Sequence, residues 1–357
     1  MNFSLPLVSI VVVNHNYGRF LSEVIESILS QTYPYIECIL VDNASTDNSE
    51  QVIQEIRSAH PEIIFIQRCS NDGQSAASID GFRSSSGQYV VFVDADDWLL
   101  PEFVRTHVFV HLSARIHVGL TSSDMFQAYG DRIILGTGQA MNNYFRSGQG
   151  PTPRIARSVA GALKSIQHFD GIDDAVLDQL YFVSPGPVQW VWSSTSGNFY
   201  RRDALRLIMG ARKLPALRAA TDVFCCAGVN GLCGALLIDL PLSIYRIHGT
   251  NFCTKQPQLY GQQVLRAAND LTLDALETLI DHLVDQRQMI LTGMQDESYY
   301  LDLLASITQS RDRRRSVSGG SLEQHTEKPL PAPSKLARLA ERASALLLKQ
   351  PRIRAGT

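Results

Sequence analysis

Three carboxylates, Asp94, Asp96 and Asp97, fall within four residues near the end of "GQYVVFVDADDWLLPEF" (87–103). Carboxylates this close repel one another, and burying them unpaired is costly. They need a positive partner, a solvated turn or a task. In Asp94-Ala95-Asp96, two carboxylates two residues apart at a turn can approach one hard cation. Mg²⁺ and Mn²⁺ take oxygen ligands, often one or two carboxylates plus substrate phosphates. Such a cation would bridge a diphosphate and act as a Lewis acid on a departing phosphate. An isolated D-x-D is more often a solvated turn, so its setting decides. Asp222 is a second candidate: it opens the otherwise apolar "TDVFCCAGVNGLCG" (221–234). Partial desolvation there would raise its proton affinity toward that of a base. The helix dipole would equally favour an acid there as a plain cap.

The elements that must position these groups alternate. "LVSIVVVN" (7–14), "IECILVDN" (36–43), "EIIFIQR" (62–68) and "YVVFVD" (89–94) are β-branched or apolar runs of strand length. Between them Phe20, Val24, Ile25, Ile28 and Leu29 recur at helical spacing. A second helix follows "STDNSEQVIQEI", with Asp47 and Glu50 as a capping box. A third is the small-residue stretch 73–87. Strand and helix in alternation predict an α/β fold with a mostly parallel sheet flanked by helices. Ligands in such sheets sit at the carboxyl ends of the strands. Those ends carry His15 and Asn16, Asp42, Asn71 and Asp72, and Asp94 to Asp97. No G-x-G-x-x-G follows the first strand and no P-loop motif occurs, so a phosphate would need another neutralising partner.

The chain has 357 residues, 45% of them hydrophobic and 19% charged, with net charge −3. That permits a sizeable core and excludes bulk nucleic-acid binding. The charge is uneven. Residues 311–357 hold 11 Lys and Arg against 4 Asp and Glu, whereas 1–310 hold 21 against 31. "SKLARLAERASALLLK" reads as a basic amphipathic helix, with either a membrane leaflet or the protein body as its partner. Six cysteines show neither paired nor metal-ligand spacing, which favours a reducing, cytoplasmic setting. No signal peptide is read at the N-terminus. No apolar run reaches the ~18 residues of a membrane span.

In order, "LVSIVVVNHNYGRFLSEVIESILSQTYPYIECILVDNASTDNS", "NDGQSAASIDGF", "SGQYVVFVDADDWLLPEF" and "YRIHGTN" resemble family 2 glycosyltransferases. These are inverting enzymes with a GT-A-type, Rossmann-like fold that use nucleotide-sugar donors. The likeness is strong over residues 5–105, moderate over 188–251 and absent beyond about 260. It implies a nucleotide-sugar-binding half (1–105) and a mixed acceptor-side half (106–258). Composition adds a helical extension (259–310), a flexible linker (311–334) and the basic tail helix (335–357).

The resemblance also implies roles. Val13, Asn14 and His15 would line the nucleotide pocket. Asp42 would accept a hydrogen bond from a uracil- or thymine-like base, if it does not merely cap the next helix. Asp72, Gly73 and Gln74 would flank ribose and phosphates. Asp94, Ala95 and Asp96 would hold ribose and metal–diphosphate, with Asp97 supporting the turn. The metal set would be Asp96, Asp94 and His248, with Arg246 and Asn251 assisting. Asp222 would be the general base. Trp190, Trp192, Ser196, Gly197 and Asn198 would face the acceptor, and Arg201 and Arg202 an acceptor phosphate or only a helix start. Where the family pattern often has Arg and Asn after the alanine, this chain has Ser78 and Ile79, which leaves donor identity open.

The expected protein is a non-processive transferase in cell-surface polysaccharide synthesis. It would move a sugar from a UDP- or dTDP-type donor to a glycan or lipid-linked acceptor with Mn²⁺ or Mg²⁺. It would lie in the cytoplasm or at the inner membrane face. A nucleotidyltransferase and a non-catalytic nucleotide-sugar-binding module are the rival expectations.

Overall fold

The structure is a computed structural model that describes residues 4–136, 150–152, 155–167, 173–186, 190–251, 266–293 and 296–319. The N-terminal part runs β1 (Val8–Asn14), α1 (Gly18–Leu29), β2 (Ile36–Asp42), α2 (Ser49–Ala59), β3 (Ile64–Gln67), α3 (Gln74–Ser84) and β4 (Tyr89–Asp94). A two-residue strand β5 (Trp98–Leu99), helix α4 (Phe103–Ser113), β6 (Leu120–Tyr129) and β7 (Arg132–Gly136) follow. Next come α5 (Ala160–Gln167), β8 (Leu180–Val183), β9 (Asn198–Arg201), α6 (Arg202–Arg206), α7 (Thr221–Cys233) and β10 (Ala235–Ile247). Helices α8 (Arg266–Asp285), α9 (Arg287–Thr292) and α10 (Glu297–Gly319) close the described chain.

One sheet organises everything, in the order β3-β2-β1-β4-β9-β6-β10-β5, with β7 on β6 and β8 on β10. The first four strands pair in parallel. Then β9 runs antiparallel between β4 and β6, and β6 pairs in parallel with β10. The expected parallel sheet is therefore real in its first half, and the second half is mixed. Register puts Asn14 opposite Asp42, and Val13 opposite Asp94. Three strand ends thus open on one edge.

Alternation along the buried strands splits the core into two layers. Val11, Ile39, Val41, Val90 and Phe92 face α3 and α7, while Ile10, Val12, Leu40, Val91 and Val93 face α1 and α4. The C-terminal helices belong to the first layer. Leu279, Leu283, Tyr300, Leu303 and Ile307 all join it. A Cβ at Gly231 of α7 would stand 2.7 Å from Leu303 Cδ1, so glycine admits α10 against the helix that carries Asp222. Residues up to Gly319 form one compact unit. The spans 1–105, 106–258 and 259–310 are regions of that unit. Helix α10 also runs to Gly319, nine residues into the expected linker. The rest of the linker and the tail helix 335–357 lie outside the described residues.

The capping box does not form. Asp47 Oδ1 accepts from Ser49 N at 3.0 Å and from Ser49 Oγ at 2.5 Å, and its Oδ2 accepts from Gly18 N at 3.0 Å. Asp47 therefore ties the start of α2 to the start of α1, and holds its carboxyl below the usual range through those bonds despite partial burial.

Candidate active site

The polar residues at the sheet edge form two sets. The first surrounds Asp42. Its Oδ1 accepts from Asn14 Nδ2 (2.7 Å) and Ser45 Oγ (2.6 Å), and its Oδ2 from Ser45 N (3.0 Å) and Gln67 Nε2 (2.8 Å). Asp42 is 3% exposed and Asn14 fully buried. Asn14 Nδ2 also donates to Ser45 Oγ and Ser49 Oγ, both at 3.0 Å. This edge is where Asp42 and Asn14 are expected to line the nucleotide pocket. Both hold the loop between β2 and α2, and their polar atoms are engaged inside the protein. Val13 is partly buried beside them.

A wall of amides lies next to this set. His15 Nδ1 lies 3.0 Å from Asn43 O, and its Nε2 lies 2.9 Å from Asn71 Nδ2. Asn43 Nδ2 donates to Asn71 Oδ1 (2.9 Å) and Gly73 O (3.2 Å), while Asn43 Oδ1 is buried without a partner among the described residues. Gly73 has φ 107°, and a Cβ there would sit 2.4 Å from Arg218 Cα. Only glycine fits that approach. Asp72 is exposed. Hydrogen bonds from Ser70 Oγ and Arg68, both 2.7 Å, lower its carboxyl. Asn43 escaped the sequence reading because it sits beside Asp42, whose carboxylate drew the role.

The second set surrounds the D-x-D. Asp94 N donates to Ser196 Oγ at 3.1 Å, and Asp94 Oδ1 accepts from Gln74 Nε2 at 2.7 Å. Burial first, then the charges of Asp96 and Asp222, push the Asp94 carboxyl up to about 7. Asp96 Oδ2 accepts from His248 Nε2 at 2.9 Å and from Asn251 Nδ2 at 3.3 Å. His248 Nδ1 faces Thr250 Oγ1 (2.8 Å) and Arg19 Nη2 (3.3 Å), a donor, so Nδ1 accepts and the ring proton sits on Nε2. The rings of Tyr17 and Phe20 pack on His248 at centroid distances of 5.4 and 4.8 Å. Asp97 is 1% exposed. Its Oδ1 accepts from Arg246 N at 3.3 Å, and its Oδ2 has no partner among the described residues. Burial and its two acidic neighbours push its carboxyl well up.

Asp222 occupies the first turn of α7, entered through Ala220 at φ 62°. A non-glycine residue in that region is strained, and such strain gathers at functional turns. Asp222 Oδ1 accepts from Val223 N at 2.8 Å, and burial pushes the carboxyl up to about 6. Its charge helps to push the Asp94 carboxyl up, so the two groups lie within electrostatic range of each other.

Several of the residues expected on the acceptor side are buried. Trp192 is 1% exposed, and Ser196 and Asn198 are fully buried. Asn198 Nδ2 donates to Ser193 O and Ser194 O at 3.0 Å, which pins the turn before β9. A Cβ at Gly197 would meet Ser193 Cβ at 2.5 Å. Of these, Ser196 supports the D-x-D directly, by accepting from Asp94 N. Trp190, partly exposed and edge-on to Trp192 at 5.6 Å, remains at the surface. Ala95 is 1% exposed and offers no side chain to a ligand. Arg201 pairs with Tyr89 in register, at the start of β4 and the far edge from the Asp turn. Arg202 donates to Gly87 O at 2.5 Å at that same edge and cannot reach the site. Arg246 turns its guanidinium to Glu23 (2.6 Å) and over the Phe20 ring (4.6 Å).

Among the described residues, no group of three or more His, Cys, Asp or Glu side chains is placed to hold a metal by itself. Asp94 and Asp96 nevertheless supply carboxylate oxygens of the kind a hard cation shared with phosphates takes, and the Asp94 carboxyl lies among acidic neighbours. His248 fits less well as a ligand, because its Nε2 carries the proton it gives to Asp96.

Residues 9–116 match the family model described as Glycosyl transferase family 2. An uncharacterized glycosyltransferase of Nostoc is 29% identical over 245 residues, covering 68% of this chain and 66% of the relative. Glycosyltransferase GlyA of Streptococcus pneumoniae is 36% identical over 99 residues, 28% of this chain and 14% of the relative. The chain thus spans just under two thirds of the first of these curated relatives and a seventh of the second. Among solved structures, S. aureus TarS 1-349 in complex with UDP-GlcNAc aligns at TM-score 0.49 and 14% identity, over 87% of this chain and 83% of that one. Over residues 9–116 the chain is thus similar to the family 2 glycosyltransferases.

Proposed function

We propose that the protein is an inverting glycosyltransferase that moves a sugar from a nucleoside-diphosphate donor to a hydroxyl of a glycan or lipid-linked acceptor. The observation that carries this reading is the grouping of Asp94, Asp96 and Asp222 within electrostatic range: burial and the charges of Asp96 and Asp222 push the Asp94 carboxyl up to about 7, and burial pushes Asp222 up to about 6. Asp94 and Asp96 would hold Mn²⁺ or Mg²⁺, which when bound supplies the positive charge for a departing diphosphate. Asp222, ionised, takes the proton of the acceptor hydroxyl as its oxygen bonds to the anomeric carbon and the bond to the diphosphate breaks. His248 and Asn251 orient Asp96. The wall of His15, Asn43, Asn71 and Gly73 meets the base, a uracil- or thymine-type ring in this proposal. Trp190 offers a face to the acceptor.

The product fits non-processive polysaccharide assembly at the inner membrane face, with the basic segment 311–357 as the membrane contact. Among the described residues no helix is long and apolar enough to cross a membrane. A melting-temperature panel of nucleoside diphosphates and nucleotide-sugars, with and without Mn²⁺, tests the donor assignment. Stabilisation by UDP or dTDP that grows with Mn²⁺ is expected. No stabilisation by any nucleoside diphosphate sinks the reading.

A further inference from the structure

Gln74 stands where the resemblance implies a contact to ribose and phosphates, yet its amide is committed elsewhere. The amide nitrogen faces Asp94 Oδ1 at 2.7 Å and donates to it. The other end, Oε1, then faces Thr221 Oγ1 at 3.4 Å. Thr221 is 2% exposed, and its hydroxyl lies 2.6 Å from that of the fully buried Ser75. With Thr221 donating to Gln74, Ser75 must donate to Thr221. Every donor in this chain therefore points the same way: Ser75 to Thr221, Thr221 to Gln74, Gln74 to Asp94. Bonds aligned in this manner reinforce one another.

The chain links the segment that carries Asp222 to the end of β4. Thr221 immediately precedes Asp222, and Asp94 lies at the end of β4. Its anchorage is rigid at both ends. Gln74 N donates to Arg218 O at 2.9 Å, and Gly73 packs on Arg218 Cα. The segment that leads into α7 is thus clamped on the start of α3. We infer that Gln74 is a positioning residue: its amide fixes the Asp94 carboxylate and, through Thr221, sets the separation of Asp94 from the base Asp222. This rests on the transferase reading above. It differs from a ligand contact, because Gln74 acts only through Asp94 and Thr221.

The test is a double-mutant cycle on turnover. Gln74→Met keeps the length of the side chain and removes the amide. It is expected to lower kcat about tenfold, the scale of one hydrogen bond to a charged group, with an unchanged melting temperature. In an Asp94→Asn background the same change is expected to cost less than about twofold, because the group it orients has been altered. If Asp94→Asn turns over too slowly to measure, the cycle is read on the affinity for UDP and dTDP in the presence of Mn²⁺. If Gln74→Met does not fold, Thr221→Val breaks the chain one link earlier and enters the same cycle. Equal factors in both backgrounds, or wild-type kcat in the single variant, overturn the inference while the transferase reading stands. A wild type that transfers from no nucleotide-sugar overturns the reading itself, and the inference with it.

Discussion

Two turns at the same sheet edge both carry aspartates, and they treat them in opposite ways. After β2, Asp42 receives four hydrogen bonds from neutral donors and Asp47 receives three. After β4, Asp94, Asp96 and Asp97 crowd one another, Asp97 Oδ2 is without a described partner, and the Asp94 and Asp97 carboxyls are pushed up. Saturated carboxylates have become part of the scaffold. Carboxylates short of partners keep their charge available for something the protein does not itself contain. Asp222 is of the second kind. Partner counting, more than residue type or position, separates framework from site.

The hardest test of that contrast is removal of the second kind. Asp96→Ala and Asp222→Ala are each expected to lower transfer by about a thousandfold or more, while circular dichroism shows a folded protein. Wild-type turnover in either would end that residue's assignment.

Asp222→Asn sharpens the contrast through stability. Asp222 ionises near 6 in the fold, against about 4 in an unfolded chain. Folding therefore disfavours its charged form. The destabilisation is absent below about pH 4, grows as pH rises, and is complete above about pH 6. Asp222→Asn should be inactive and yet melt a few degrees above the wild type at pH 7. The wild-type kcat/KM should fall as pH drops through about 6, since a base works only ionised. A melting point lower than the wild type's at pH 7 would count against this account.

Asp42→Asn is the converse. It replaces an acceptor of four bonds with a group that brings two donors of its own. A loss of about 2–4 kcal/mol in unfolding free energy is expected from denaturant titration. Nucleoside-diphosphate affinity per folded molecule should stay within about threefold. Lost affinity without lost stability would put Asp42 in the base pocket.

The smallest effect belongs to the far edge. Arg202→Ala cuts bonds to Gly87 and Ser85, so it should shift melting slightly and leave turnover within about twofold. A large drop in turnover would mean that the edge at Arg202 takes part in the reaction.

Much of this was legible from residue order. The β1–β4 half follows from apolar runs of strand length separated by helical periods, and its strands formed within a few residues of expectation. The D-x-D and the acid opening α7 were recognisable because both interrupt apolar runs. What escaped depends on contacts between distant segments. Arg19 reaches His248 and Thr250 across more than 200 residues, and no spacing rule reveals such a pair. Trp192, Gly197 and Asn198 looked like acceptor residues because aromatic and polar types suit sugars, yet β9 enters the middle of the sheet and buries them.

The sequence by itself determined the α/β half, the edge where its chemistry gathers, and the residue types available there. Those follow from local periodicity and from the preference of polar groups for strand ends. Only the tertiary structure decided which aspartates are satisfied, which way the Gln74 amide points, and that Asp94 and Asp222 come within electrostatic range of each other. The reason is physical. A carboxylate's role is set by how many donors and charges converge on it, and the donors at this edge come from β1, β2, α3, the turn before β9 and the segment after β10.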